Sequence, residues 1–275
     1  MSNCKVIAVI NQKGGVGKTT TVANLGVCLA QEGKKVLLID ADPQGSLTLS
    51  LGIKAPDGLE ETIAHLLREI VEEGTVSPEK GIIHNKEGVD LLPSNIELSG
   101  LKTSLVNVMS REFVLREYIS QVKERYDYIL IDCMPSLGML AINALVAADS
   151  VIIPCQPNYL STKGINLLLG SLLKVRRTIN PKLRIDGILF TMVDGRTKNA
   201  REIIESLRQT MGQNICVFET EIPRSVRVAE SSLMGQSVLS YDGGGKAATA
   251  YRVLTKEVTD IEERTQNRSR SDCVR

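Results

Sequence analysis

The stretch from Val6 to Thr21, VIAVINQKGGVGKTTT, constrains this 275-residue chain more than any other part of it. Val6 to Ile10 is an apolar, β-branched run of the length and kind buried on both faces of a parallel sheet. Past Gly17, apolar or small residues recur at Val22, Leu25, Gly26 and Leu29, a helical spacing that runs to about Gln31, and Gly33 supplies a stop. Strand, glycine loop and helix in that order is the setting in which a phosphate-loop match carries structural meaning. Gly14, Gly15 and Gly17 have no side chains, so backbone N–H groups can converge on an anion. The positive end of the helix points at the same place. Lys18 is placed to reach β- and γ-phosphates, and the Thr19 hydroxyl suits Mg²⁺. The loop departs from the usual G-x-x-x-x-G-K-[ST] in one respect: Gln12 holds the first glycine position, and a second lysine, Lys13, follows it. A plain glycine turn with solvated lysines is the competing reading, and the full K-G-G-x-G-K-T-T run behind a buried strand weighs against it.

Two more apolar runs end in acids. KVLLID, Lys35 to Asp40, is followed by Asp42, and YDYILID, Tyr126 to Asp132, ends on Asp132. Ligand groups of open α/β sheets gather at the carboxyl ends of strands, so Asp40 and Asp42 are candidates to hold water and metal beside the loop, while the strand ending in Asp132 resembles a Walker B motif. Taken singly, either of the first two is equally a turn or helix-cap residue. Further strands are expected at Ser150–Pro154, Ile185–Thr191 and Ile215–Phe218, and short ones at Ile82–Ile83 and Val89–Leu92. Helical patterns alternate with them, including an amphipathic one through Leu59, Ile63, Leu66, Leu67, Ile70 and Val71 and another from Glu112 to Arg125. The expected fold is α/β: a single P-loop NTPase domain over residues 1–263 with a mostly parallel twisted sheet and helices on both faces. Residues 264–275, rich in Arg and Ser, read as a polar tail without structure.

Composition narrows the function classes. There is no Trp and only three Phe, so the core is expected to be aliphatic. No apolar run approaches the roughly 20 residues that span a bilayer, and no signal peptide is expected ahead of the first strand. None of the six cysteines (Cys4, Cys28, Cys133, Cys155, Cys216, Cys273) forms a C-x-x-C pair, which weakens zinc and iron–sulfur readings and favours reduced thiols. The net charge of +1 hides an asymmetry: the first 150 residues are acidic on balance and the remainder basic, a candidate footprint for nucleic acid.

KGGVGKTT resembles the deviant Walker A motif of the ParA/MinD class of P-loop ATPases. DADPQG at 40–45, the strand ending in Asp132 and IPRSVRVAE at 222–230 are similar to further segments of that class, the last to its Soj-like ParA members. The resemblance runs from Lys5 to about Val258. It implies ATP and Mg²⁺ as cofactors, with Lys13, Gly14, Gly15, Val16, Gly17, Lys18, Thr19 and Thr20 around the phosphates. It implies that Lys13 acts across the interface of an ATP-bound homodimer, Asp42 orients the attacking water, Asp40 supports the site, and Thr19 and Asp132 hold Mg²⁺. Pro223 would lie near the adenine, as would the Met192 segment, although Met192 stands where MinD-like relatives place an asparagine. Ser46 and Met134 are two smaller departures from the family pattern. Arg224 and Arg227 become the candidate DNA contacts, with Glu219, Glu221 and Glu230 near enough in sequence to pair with them instead.

The function so implied is a slow ATPase of DNA partitioning, cytoplasmic and nucleoid-associated. Its ATP-bound dimer would hold DNA without sequence preference and release it on hydrolysis stimulated by a ParB-type partner. No membrane contact is expected, because the tail RTQNRSRSDCVR offers Val274 as its one large aliphatic residue. A MinD-like membrane regulator, an ATP-gated scaffold for protein cargo and a redox relative using Cys133 are the alternatives.

Overall fold

Buried apolar runs along the chain become the strands of one sheet, and the computed structural model describes residues 4–195, 198–212 and 215–272. The chain passes through β1 (Lys5–Val9), α1 (Lys18–Gln31), β2 (Val36–Ala41), the short α2 (Ser46–Ser50), α3 (Ile63–Glu73), β3 (Ile83–His84) and β4 (Asp90–Leu92). It continues through α4 (Glu97–Ser104), α5 (Val114–Val122), β5 (Tyr128–Cys133), α6 (Met139–Ala147), β6 (Ser150–Cys155), α7 (Tyr159–Thr178) and β7 (Arg184–Val193). The last elements are α8 (Lys198–Met211), β8 (Val217–Pro223), α9 (Val226–Leu233), α10 (Val238–Tyr241) and α11 (Lys246–Asp272).

The eight strands lie in the order β3-β4-β2-β5-β1-β6-β7-β8. Every neighbouring pair is parallel except β3 with β4, which is antiparallel. Alternation along β1 shows how both faces are filled. Val6, Ala8 and Ile10 join a core with α3 and α5 to α8, while Ile7 and Val9 join one with α1, α10 and α11. The strand order reverses direction around β1, so the glycine loop that leaves β1 opens at the crevice where such sheets bind ligands.

Three local outcomes differ from the sequence reading. The short helix α2 forms just after Asp42, where the sequence reading placed no helix. The strand expected at Ile215–Phe218 is Val217–Pro223, because Phe218, Thr220 and Ile222 point inward while Glu219 is exposed, the alternation of a half-covered strand. Its main chain is fastened by α11: Glu219 and Thr220 donate their backbone N–H groups to the Glu257 carboxylate at 2.9 and 2.8 Å, and the Thr220 hydroxyl bonds it too. Helix α11 continues to Asp272, past the Glu263 boundary and into the polar segment. Arg and Gln are good helix formers, and a helix already anchored by its first turns extends at little cost. Cys28, Cys133 and Cys155 are buried and Cys216 is exposed. Cys273, Val274 and the Arg196–Thr197 pair of the MVDGRT segment lie outside the described residues.

Candidate nucleotide site

The loop between β1 and α1 takes the shape its glycines permit. Gly15 and Gly17 have φ of 68° and 83°, the left-handed region that costs a residue with a Cβ and costs glycine nothing. Gly17 is the N-cap of α1, so the first free N–H groups of that helix open toward the loop.

Residues distant in sequence hold the loop in place. Asn11 accepts from the N–H of Lys13 at 3.0 Å and donates to the Pro154 carbonyl at 2.7 Å. Gln156 donates to the Gly15 carbonyl at 3.0 Å, and the Thr191 hydroxyl donates to that of Val16 at 2.7 Å. Sequence reasoning missed these three. Asn11 alone left a signal, as a polar residue directly after a buried strand.

Lys18, the first residue of α1, is buried, and its ammonium donates to the Lys13 carbonyl at 3.3 Å. Burial lowers its pKa, and Asp132, Cys133 and Asp42 act against that shift. Lys13 is exposed, although its N–H and its carbonyl are both used within the loop. The structure therefore separates the two lysines: one stands in the cradle, the other on its rim.

Asp40 and Asp132 lie side by side, in register on β2 and β5. Both are fully buried, and burial raises both carboxyl pKa values, that of Asp40 to about 6. Their hydrogen bonding differs. Asp40 spends both oxygens on its own segment, accepting from Asp42 N–H at 3.2 Å, Thr48 N–H at 2.8 Å and Thr48 Oγ1 at 2.7 Å. Asp132 accepts from Thr19 Oγ1 at 2.6 Å through one oxygen, while its Oδ1 is buried with no hydrogen-bond partner. A hydroxyl touching a carboxylate that keeps an unused buried oxygen is what a hard divalent cation needs from a protein that leaves its other positions to phosphate and water. Mg²⁺ fits there, with Thr19 and Asp132 as the residues that would hold it. Asp42 is half-buried and caps the turn that follows, accepting from Gln44 N–H at 3.0 Å.

Beyond the loop, a cavity of about 290 Å³ continues from Gly17 and Thr20 to Met192, Pro223, Arg224 and Tyr251. Its size and mostly apolar walls suit a planar base. Met192 has φ of 53°, and its sulfur receives the Gln156 amide at 2.9 Å, which ties this wall to the glycine loop. Arg224 is exposed at the cavity mouth, and its N–H donates to the Val193 carbonyl at 3.1 Å. Arg227 is 60% exposed and pairs with Glu230 at 3.0 Å. Glu219 and Glu221 are taken by Arg208, at 2.7 and 3.5 Å, rather than by either candidate arginine. Cys133 is buried directly after Asp132, and burial pushes its thiol pKa up.

Comparison with known proteins gives this geometry a family. A family model described as an AAA domain matches residues 4–185. The sporulation initiation inhibitor protein Soj of Bacillus subtilis is 43% identical, over 92% of this chain and 98% of its own. The chromosome-partitioning ATPase Soj of Thermus thermophilus is 42% identical, over 92% of this chain and 94% of its own. Among solved structures, cobyrinic acid a,c-diamide synthase of Mycobacterium smegmatis, with bound ATP analogue and magnesium, is 36% identical with a TM-score of 0.79, covering 92% of this chain and 93% of that one.

Proposed function

The chain belongs to the Soj/ParA family of partitioning ATPases, and from that membership we propose that it closes into a homodimer when it holds ATP, binds DNA without reading its sequence, and lets go on hydrolysis. It is an ATPase that takes ATP and Mg²⁺. The observation that carries the proposal is the division between its two loop lysines. Lys18 is buried beside Asp132 and serves the phosphates of its own subunit. Lys13 is exposed, with its backbone fixed, and so presents a cation outward to a second subunit's nucleotide. A cation brought to the γ-phosphate from outside does the work of an arginine finger.

In this reading Gly14 to Thr20 cradle the phosphates, Thr19 and Asp132 hold Mg²⁺, and Asp42 orients the attacking water from the rim of the turn it caps. The metal, when bound, neutralises charge on the β- and γ-oxygens. Asp40 acts behind them, because its oxygens are committed to Asp42 and Thr48. The base occupies the cavity walled by Met192 and Pro223. With a thioether in place of an amide on that wall, the base is held by shape and backbone groups more than by side-chain hydrogen bonds. Arg224 and Arg227 contact DNA phosphates, and a ParB-type protein accelerates hydrolysis on the nucleoid. Among the described residues no helix is long and apolar enough to cross a membrane.

The test is binding to random-sequence duplex DNA with ATP, with ADP and without nucleotide across a salt series. We expect tight binding with ATP alone, steep loss with salt, and a salt slope reduced by about one for Arg224→Ala and for Arg227→Ala. An active ATPase that binds no DNA in any nucleotide state would overturn the DNA reading in favour of a protein-cargo scaffold or membrane regulator.

A further inference from the structure

Thr48 belongs to none of the motifs that identify the site, yet it is 0% exposed and bonded to the buried Asp40 carboxylate. Its hydroxyl has two jobs. It donates to Asp40 Oδ2 at 2.7 Å, and it accepts from the N–H of Ser94, past the end of β4, at 3.0 Å. Its own N–H donates to the same Asp40 oxygen at 2.8 Å. That leaves the other oxygen of Asp40, Oδ1, to accept from Asp42 N–H at 3.2 Å.

Asp40 is thus a fork. One tine is pinned by Thr48 and the other pins Asp42. The geometry has a direct physical cause. A carboxylate removed from water must find donors, and at the end of β2 the donors come from the segment that follows it. The chain therefore curls back as the turn through Asp42 and the five residues of α2, so that residue 48 returns to residue 40. Such a short helix has little stability of its own. It stays where it is because Thr48 is bonded to Asp40 on one side and to the segment at Ser94 on the other.

We infer that Thr48 is a positioning residue for hydrolysis: by fixing the rotation of the Asp40 carboxylate it fixes the main chain of Asp42, and with it the direction in which the Asp42 side chain faces water. The inference rests on the reading that Asp42 orients the attacking water. Ground-state nucleotide binding does not pass through this fork, because Lys18, Thr19 and the glycine loop are carried by β1 and α1. Removing the hydroxyl therefore lowers the hydrolysis rate and leaves affinity in place. Small displacements of a group that positions a reactant cost up to about a hundredfold in rate.

The experiment measures single-turnover ATP hydrolysis and the dissociation constants of a fluorescent ATP analogue and of ADP, both with Mg²⁺, together with thermal melting. The proteins are the wild type, Thr48→Val, Thr48→Cys, Thr48→Ser and Asp42→Ala. Thr48→Val keeps the volume and the backbone N–H and loses the hydroxyl. It is expected to hydrolyse at least about tenfold more slowly with dissociation constants within about threefold of wild type, and Thr48→Ser to recover most of the rate. Thr48→Cys, a weak donor of similar size, is expected between Val and Ser, and it decides the matter should Thr48→Val not fold. Wild-type rates in Thr48→Val or Thr48→Cys, with Asp42→Ala inactive, overturn the positioning role and leave the reading of Asp42 standing. Rate and affinity falling together, with no rescue by Ser, overturn it in favour of a purely structural threonine. Full turnover in Asp42→Ala removes the reading of Asp42, and the inference with it.

Discussion

The two halves of the proposed cycle are built in opposite ways. The phosphate end is cross-braced: Thr19 touches Asp132, and Asn11, Gln156 and Thr191 hold the loop from three directions. At the arginine end, from Pro223 through α9, the side chains of Arg224, Val226, Arg227, Ala229 and Leu233 are exposed. Arg227 pairs with Glu230 three residues on, with the Tyr241 hydroxyl joining them, and Arg224 stands at a cavity mouth. Chemistry at phosphorus needs positions kept to a fraction of an ångström, so it sits on strand ends and a helix start. A contact that reads only the charge of a polyanion tolerates motion, and long side chains on a surface helix suffice.

The largest effect that tests this contrast is expected from Lys18→Ala. Removing the one buried cation of the cradle should cost about a hundredfold or more in ATP affinity by calorimetric titration. Near-normal binding would mean that the braced end is not the phosphate site. A smaller and more selective loss is expected from Asp132→Asn, which should raise the Mg²⁺ concentration needed for half-saturation with ATP by about tenfold. The same change should raise the melting temperature of the nucleotide-free protein, since a carboxylate that burial disfavours is made neutral in place. The smallest effect is expected from Glu230→Gln. Releasing Arg227 should move the melting temperature by less than about 2 °C and increase DNA affinity by no more than about threefold. A large loss of stability there would erase the contrast, because it would make the arginine end a braced structure as well.

How much of this was legible depended on how far apart the cooperating residues lie in the chain. Val6 to Thr19 could be read because strand, loop and helix start are contiguous, and Asp40 and Asp132 because each ends an apolar run. The braces could not be read. Asn11 meets Pro154 across 143 residues, Gln156 meets Gly15 across 141, and Thr191 meets Val16 across 175. No local pattern announces such a pairing, because each residue is an ordinary polar side chain until the sheet order sets it beside the loop. Helix α2 was missed for a related reason. Its sequence, SLTLS, has weak helix propensity, and the bonds from Asp40 to Thr48 supply what the propensity lacks. The Arg227–Glu230 pair was foreseeable from spacing alone, whereas the capture of Glu219 and Glu221 by Arg208 required knowing that α8 packs beside β8.

The Glu257 carboxylate has a consequence outside the catalytic cycle. Strand β8 is one rim of the sheet, and two of its consecutive backbone N–H groups, those of Glu219 and Thr220, are bonded to Glu257. The opposite rim, β3, is only two residues long. Sheets grow at open rims, and that is how folded proteins zip into fibrils when they crowd. In the proposed cycle, where two copies meet as a dimer, a sheet that offers little place for another chain to continue it is an advantage. Here one acidic side chain from the last helix occupies part of the longer of the two rims.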